Sequence, residues 1–162
     1  MEAAAIEKSY FAARDRYAAL GVDTEKALER LRAVPLSLQC WQGDDVGGFE
    51  RQAGGLAGSG LQVTGATPGK ARSADELRAD LEQALAQIPG RHRVNLHAMY
   101  GEFGDRPVDR DAIEPAHFRG WEEWARHRGL KLDFNATCFA HPKASSGFTL
   151  SSRENGIRKF WV

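Results

Sequence analysis

Three short stretches of this chain alternate apolar and polar side chains with a period of two. In 35–41, Leu36, Leu38 and Cys40 fall on one side and Ser37, Gln39 and Trp41 on the other. In 93–100, Val94, Leu96 and Ala98 oppose Arg93, Asn95, His97 and Met99; in 130–135, Leu132 and Phe134 oppose Lys131, Asp133 and Asn135. Such alternation marks strands with one buried face. The segments between them change to helical spacing. Residues 73–88 begin with a Ser73/Glu76 capping box, place Leu77, Leu81, Leu85 and Ile88 on one side, and stop at Pro89-Gly90. Residues 115–129 are opened by Pro115, closed by Gly129, and turn Phe118, Trp121, Trp124 and Ala125 inward. A further helix is predicted from Ser151, where Ser-x-x-Glu recurs. Two helices lead the chain: Ile6, Tyr10, Ala13, Tyr17 and Leu20 form an apolar stripe ended by Gly21. Asp23 caps the second, whose inward face is Ala27, Leu28 and Leu31.

Strand, helix, strand, helix, strand, helix implies parallel strands joined by crossover helices, an α/β fold. Doubly wound sheets and (β/α)8 barrels share this order. A parallel sheet covered by helices on both faces reads as nearly continuous hydrophobic runs. Here every strand keeps a polar side, which a barrel with a ligand-binding throat explains better. Its active site then lies at the carboxyl ends of the strands. Three strands do not close a barrel of about 250 residues. Ile157, Phe160, Trp161 and Val162 form the apolar face of a helix without a C-cap. Residues 1–162 are therefore expected to be a single incomplete domain: the amino-terminal part of a TIM-type barrel, about three βα units plus the leading helices.

Charge narrows the class of partner. Lys+Arg and Asp+Glu both number 22, and that balance argues against nucleic acid, which demands a basic excess. No run of about 18 apolar residues suggests a membrane span, and the first twenty residues lack a signal-peptide core. Cys40 and Cys138 have neither CxxC spacing nor a disulfide framework around them, so reduced thiols are expected.

Six residues on the polar sides, Gln39, Trp41, Asn95, His97, Asp133 and Asn135, suit a polyhydroxylated ligand. His97 lies near a strand's carboxyl end, where it reads equally as a hydrogen-bonded structural histidine or as a proton-transfer or hydroxyl-binding group. Trp41 before a polar loop suits the apolar wall of a sugar site. Asp133 and Asn135 either orient hydroxyls or bond each other and the neighbouring strand. Asp44-Asp45 reads as turn and cap chemistry rather than a metal site, and His141 as a solvent-exposed loop histidine. His92, His117 and His127 carry no assigned chemistry. The Gly-rich stretches do not form a phosphate loop: Gly65 is one position too close to Gly69-Lys70, and Ala71 stands where Ser or Thr is needed. Residues 43–72 form a glycine-rich segment with little apolar period, long enough to be a lid.

The blocks "PLSLQCWQGDDVGGFE", "LQVTGATPGKARSADELRADLEQAL", "RVNLHAMYGE", "LDFNATCFAHPKASSGFTLSS" and "IRKFWV", in that order from about residue 9 to the end, resemble the amino-terminal part of the L-rhamnose isomerase family. The resemblance implies a (β/α)8 barrel that interconverts L-rhamnose and L-rhamnulose, with divalent metal, typically manganese (Mn2+), assisting hydrogen transfer between C2 and C1. It implies a cytoplasmic homotetramer in carbohydrate catabolism. It assigns no metal ligand to this chain and expects the ligands beyond Val162. By its match to the NLHA block, His97 resembles the histidine that assists ring opening or holds a sugar oxygen. Trp41 would pack on the sugar's apolar side, Asn95, Asp133 and Asn135 would contact substrate, and the 43–72 loop would cover the pocket. Family members run to more than twice this length, so the chain alone is expected to be inactive. A non-catalytic sugar-binding module and a nonfunctional truncated remnant are the other readings.

Overall fold

The computed structural model describes residues 3–39, 48–49, 71–139 and 141–162. Cys40, Trp41, Asp44, Asp45 and nearly all of the 43–72 segment read as a lid lie outside the described residues. Three strands, β1 (Leu36–Gln39), β2 (His92–His97) and β3 (Lys131–Asn135), form one parallel sheet in the order β1-β2-β3. Ser37 lies opposite Arg93, and Gln39 opposite Asn95; Asn95 in turn faces Asp133, and His97 faces Asn135. Parallel neighbours need a crossover. Helix α3 (Ala74–Gln87) belongs to the first and helix α4 (Arg119–His127) to the second. Helices α1 (Ala3–Ala19) and α2 (Thr24–Arg32) precede the sheet, and α5 (Asn155–Phe160) follows it.

Both crossover helices pack on the same side of the sheet. Leu77 and Leu81 of α3 and Trp121 of α4 share one buried cluster with Val94 and Leu96 of β2, and Leu132 borders it. The side chains that alternation directs the other way bond one another across the strands, as described below. Trp121 is the centre of this core: it is 0% exposed, and its indole N–H donates to the carbonyl of Tyr100 at 2.9 Å. A buried indole needs such a partner. The Arg78 guanidinium of α3 lies 5.0 Å from the Trp121 ring centroid and pairs with Glu102 and Asp75. Trp124 donates to Glu82 at 2.8 Å, so the two helices are joined at a second point.

Local chemistry sets most boundaries. Ser73 caps α3 by accepting from the Glu76 N–H at 3.2 Å, while the Glu76 carboxylate reaches the Arg72 N–H rather than closing the box on Ser73. Asp23 caps α2 through the Lys26 N–H. Before α4, residues Pro115–Phe118 form a 3-10 turn rather than the first turn of an α-helix. Glu114 and His117 cap each other across it, the Glu114 N–H donating to His117 Nδ1 at 2.9 Å. Gly120 follows because a Cβ there would stand 2.2 Å from the Glu102 carboxylate. Gly129, at φ +65°, ends the element in a conformation that other residues adopt only with strain.

The structure departs from the sequence reading in several places. Strand β2 stops at His97, and Ala98–Tyr100 form a buried 3-10 turn. The Ala98 N–H leaves the ladder for the hydroxyl of Thr137, so alternation ends there and Met99 joins the apolar core instead of the polar face. Helix α5 begins at Asn155 rather than Ser151, because Ser152 Oγ accepts the Glu154 N–H and its carbonyl accepts from Arg158, holding the preceding residues in a turn. The apolar stripe of α1 is not inward among the described residues: Ile6, Tyr17 and Leu20 are 53%, 52% and 78% exposed, and no residue of α1 or α2 is buried. The Tyr10 hydroxyl donates to Glu25, linking the two helices. Leu36 and Phe134, on the flanking strands, are likewise exposed.

These positions separate in a denaturation experiment. Trp121→Ala should lower the unfolding free energy by about 3–5 kcal/mol, the usual cost of emptying a core aromatic site. Leu20→Ala should change it by less than about 0.5 kcal/mol. Urea melts of the two variants check this, and equal losses would show that the apolar stripe ending at Leu20 is buried.

Candidate functional site

The polar face of the sheet is a ladder of side-chain hydrogen bonds that runs toward the carboxyl ends of the strands. At its lower end Asp133 receives three groups. Arg93 Nε donates to it at 2.8 Å and its second guanidinium nitrogen also bonds it, while the Ser37 hydroxyl donates at 2.7 Å. Arg93 also reaches the Leu132 carbonyl. The Arg93 hydrogen bonds, then that of Ser37, hold the Asp133 carboxyl down to about 2. The carboxylate thus joins all three strands. One step higher, Asn95 Nδ2 donates to Gln39 Oε1 at 2.8 Å, and Asn95 is buried.

The upper end is built around His97. The ring is 1% exposed and has Tyr100 and Phe139 edge-on, at centroid separations of 5.4 and 6.2 Å. Its Nδ1 lies 3.1 Å from Thr137 Oγ1. Burial first, and the nearby Arg110 cation second, lower its pKa to about 4. A neutral imidazole follows at physiological pH. Asn135, opposite His97 in the register, turns its side-chain oxygen to the Thr137 N–H at 2.7 Å. Thr137 itself has φ +53° and is 0% exposed. That backbone region is rare for a β-branched residue and costs on the order of 1–3 kcal/mol. Arg110 bonds the Thr137 carbonyl, and its own N–H donates to Asp109.

Asp109 links this end to the last segment of the chain. Burial works to raise its carboxyl, but the Arg110 N–H, His141 and Lys143 outweigh that effect and hold it below the usual range. His141 is buried, contrary to its reading as an exposed loop residue. Its Nδ1 accepts the Lys143 N–H, so Nε2 carries the proton and donates to Asp109 at 2.9 Å. Its ring stacks on Phe160 and meets Trp161 edge-on. With Ala144, these two aromatics form a second small core. Cys138 beside it is a free, half-buried thiol whose pKa burial pushes up.

Of the residues expected to act together, the structure brings Asn95, His97, Asp133 and Asn135 onto one face with Gln39. Trp41 lies outside the described residues. Sequence reasoning missed Thr137, Arg93 and Arg110. Asn135-x-Thr137 directly after a strand is an Asx-turn signal that points to Thr137; alternation puts Arg93 on the polar side without naming its partner, and Arg110 carries no local signal. A cleft of about 380 Å³ lies between Leu96, Phe118, Leu132 and Phe134. It belongs to the apolar side beside β3, away from His97. Among the described residues no group of three or more His, Cys, Asp or Glu side chains is placed to hold a metal ion. No described helix is long and apolar enough to cross a membrane.

The same polar ladder and the turn after β3 lie within blocks that are matched across a known family. The sequence model of L-rhamnose isomerase matches residues 4–162. The chain belongs to the L-rhamnose isomerase family. It is 57% identical to L-rhamnose isomerase of Rhodopirellula baltica over 157 residues, 97% of this chain and 36% of that protein. It is 56% identical to the Bacteroides thetaiotaomicron L-rhamnose isomerase and 55% identical to that of Escherichia coli, each over 97% of this chain and 37% of the relative. The chain thus spans little more than a third of the length of the curated relatives it matches.

The electrostatics of His97 are open to direct test. Its ring should stay neutral as pH falls through 6 and titrate near 4, as read from its imidazole resonances. In the unfolded chain the same group protonates near 6.5. Between those values the unfolded state holds the extra proton, so this site withdraws stability as pH drops from about 6.5 to about 4 and takes nothing more below that. A midpoint at or above 6.5 would mean the ring is not buried as described.

Proposed function

We propose that this chain forms one wall of the sugar site of an L-rhamnose isomerase, an aldose–ketose isomerase interconverting L-rhamnose and L-rhamnulose. The observation that carries the reading is the sheet's asymmetry. Both crossover helices cover one face, and the opposite face carries Asn95, His97 and Asn135 toward the strands' carboxyl ends. One-sided winding is what a segment of a (β/α)8 barrel requires, and barrel enzymes place their chemistry at that end.

In this reading His97 contacts a sugar oxygen and assists opening of the ring form. A neutral imidazole exchanges a hydrogen bond with a hydroxyl without placing a charge in the pocket, and it becomes an imidazolium only while it holds a proton taken from the sugar. Asn95, held by Gln39, offers a fixed carboxamide to the hydroxyls. Asn135 supports the same end through its turn. Asp133, engaged by Arg93 and Ser37, contributes chiefly by holding the strands in register. Trp41 is proposed as the apolar wall and residues 43–72 as the cover.

Manganese, homotetrameric assembly and a cytoplasmic location join the proposal on the family resemblance. On that resemblance the ligands are assigned to the part of the family fold that the match does not cover. When bound there, the metal would polarise the sugar oxygens as a Lewis acid. The chain by itself is then a wall without its electrophile, and the proposal makes it inactive alone.

A chimera tests this: residues 1–162 joined in frame to the remainder of the Rhodopirellula baltica enzyme. It should interconvert L-rhamnose and L-rhamnulose with manganese and lose that activity in chelator. His97→Ala within it should lower turnover by roughly 10²–10⁴-fold with unchanged folding by circular dichroism. The 162-residue chain assayed alone should give no product. A folded chimera without activity, or a His97→Ala variant within about twofold of its parent, would remove the assignment.

A further inference from the structure

A threonine hydroxyl has one proton to give and two lone pairs with which to accept. Thr137 Oγ1 has three neighbours. The Ala98 N–H at 3.0 Å can only donate, which occupies one lone pair. The Asn135 carbonyl at 3.1 Å can only accept, which takes the proton. The third neighbour is His97 Nδ1 at 3.1 Å. One lone pair remains for it, so the ring nitrogen must bring the hydrogen.

We propose that Thr137 is a positioning residue that fixes His97 as its Nδ1–H tautomer, leaving Nε2 as the acceptor of the ring. The backbone around Thr137 is arranged as this role demands. Its φ of +53° belongs to a region where glycine is the default residue, and glycine would leave no hydroxyl to receive the Nδ1–H. The strained conformation is held from both sides, by the Asn135 side-chain oxygen on its N–H and by Arg110 on its carbonyl. Complete burial keeps water from competing for the hydroxyl. Tyr100 and Phe139, edge-on to the imidazole, restrict its rotation. The pairing is also non-local: it joins the end of β2 to the turn after β3.

The functional meaning rests on the sugar-wall reading above. With Nε2 as acceptor, His97 receives a hydrogen bond or proton from a sugar hydroxyl; with Nε2–H it would only donate. Thr137 therefore sets the direction of that exchange without touching the sugar.

The test reads the ring itself, in the full 162-residue chain with histidines labelled with ¹⁵N and His97 assigned by its loss in His97→Gln. Long-range ¹H–¹⁵N spectra at neutral pH should show a protonated Nδ1 and an unprotonated Nε2 at His97. Thr137→Ser, which keeps the hydroxyl, should give the same pattern. Thr137→Val, which keeps the shape and removes the acceptor, should shift His97 to a mixture containing the Nε2–H form. An Nε2–H signal in the unmodified chain or in Thr137→Ser overturns the proposal, and so does a folded Thr137→Val with an unchanged tautomer. If Thr137→Val does not fold, the other two spectra decide. Failure of the chimera to isomerise rhamnose would remove the functional reading and leave the tautomer result standing.

Discussion

Burial of one side of β2 orders both faces of the sheet. Val94 and Leu96, 0% and 2% exposed, are covered by α3 and α4 together, and period-two alternation then commits Arg93, Asn95 and His97 to the other side. Once both crossovers share a face, the sheet has a helical back and a polar front. Trp121 anchors the back through its hydrogen bond to Tyr100, and that bond also fixes where the chain turns after β2. The same turn releases the Ala98 N–H to Thr137 and completes the surroundings of His97. A packing contact on one face thereby sets the chemistry on the other.

The polar front is ordered by its own hydrogen bonds, which sharpens the choice between structural and functional roles for its residues. Asp133 is used mostly by the fold: Arg93 and Ser37 hold its carboxyl near 2, so it keeps its charge across the physiological range and ties three strands together. Asn135 is shared, since its oxygen stabilises the turn at Thr137. Asn95 and His97 have their orientations set by Gln39 and Thr137. Groups fixed in this way reach a ligand with little loss of side-chain freedom, which is what a binding wall requires.

Much of this was legible in the sequence, and for identifiable reasons. Alternation located the three strands, helical spacing located α3 and α4, and Ser73 and Asp23 announced their caps correctly because capping is a local interaction. The blocks around Trp41, His97 and Asn135 pointed to the family that the relatives share. The misses are tertiary. The end of β2 depends on a hydroxyl from residue 137, and the 3-10 start of α4 on a reciprocal cap between Glu114 and His117. The buried state of His141 depends on Phe160, Trp161 and Asp109. No window of local sequence contains these pairs. The α1 stripe shows the opposite limit, for its period is real and its apolar residues stay exposed among the described residues.

The proposed function requires that the polar front, rather than the helical back, meet the sugar. It is tested most directly by labelling the chimera with the Rhodopirellula baltica remainder and titrating it with L-rhamnose while following three side-chain signals. The His97 imidazole and the Asn95 carboxamide resonances should move together to saturation, while the Trp121 indole N–H, buried on the other face, stays in place. A saturable shift at Trp121 with His97 and Asn95 unmoved would contradict it.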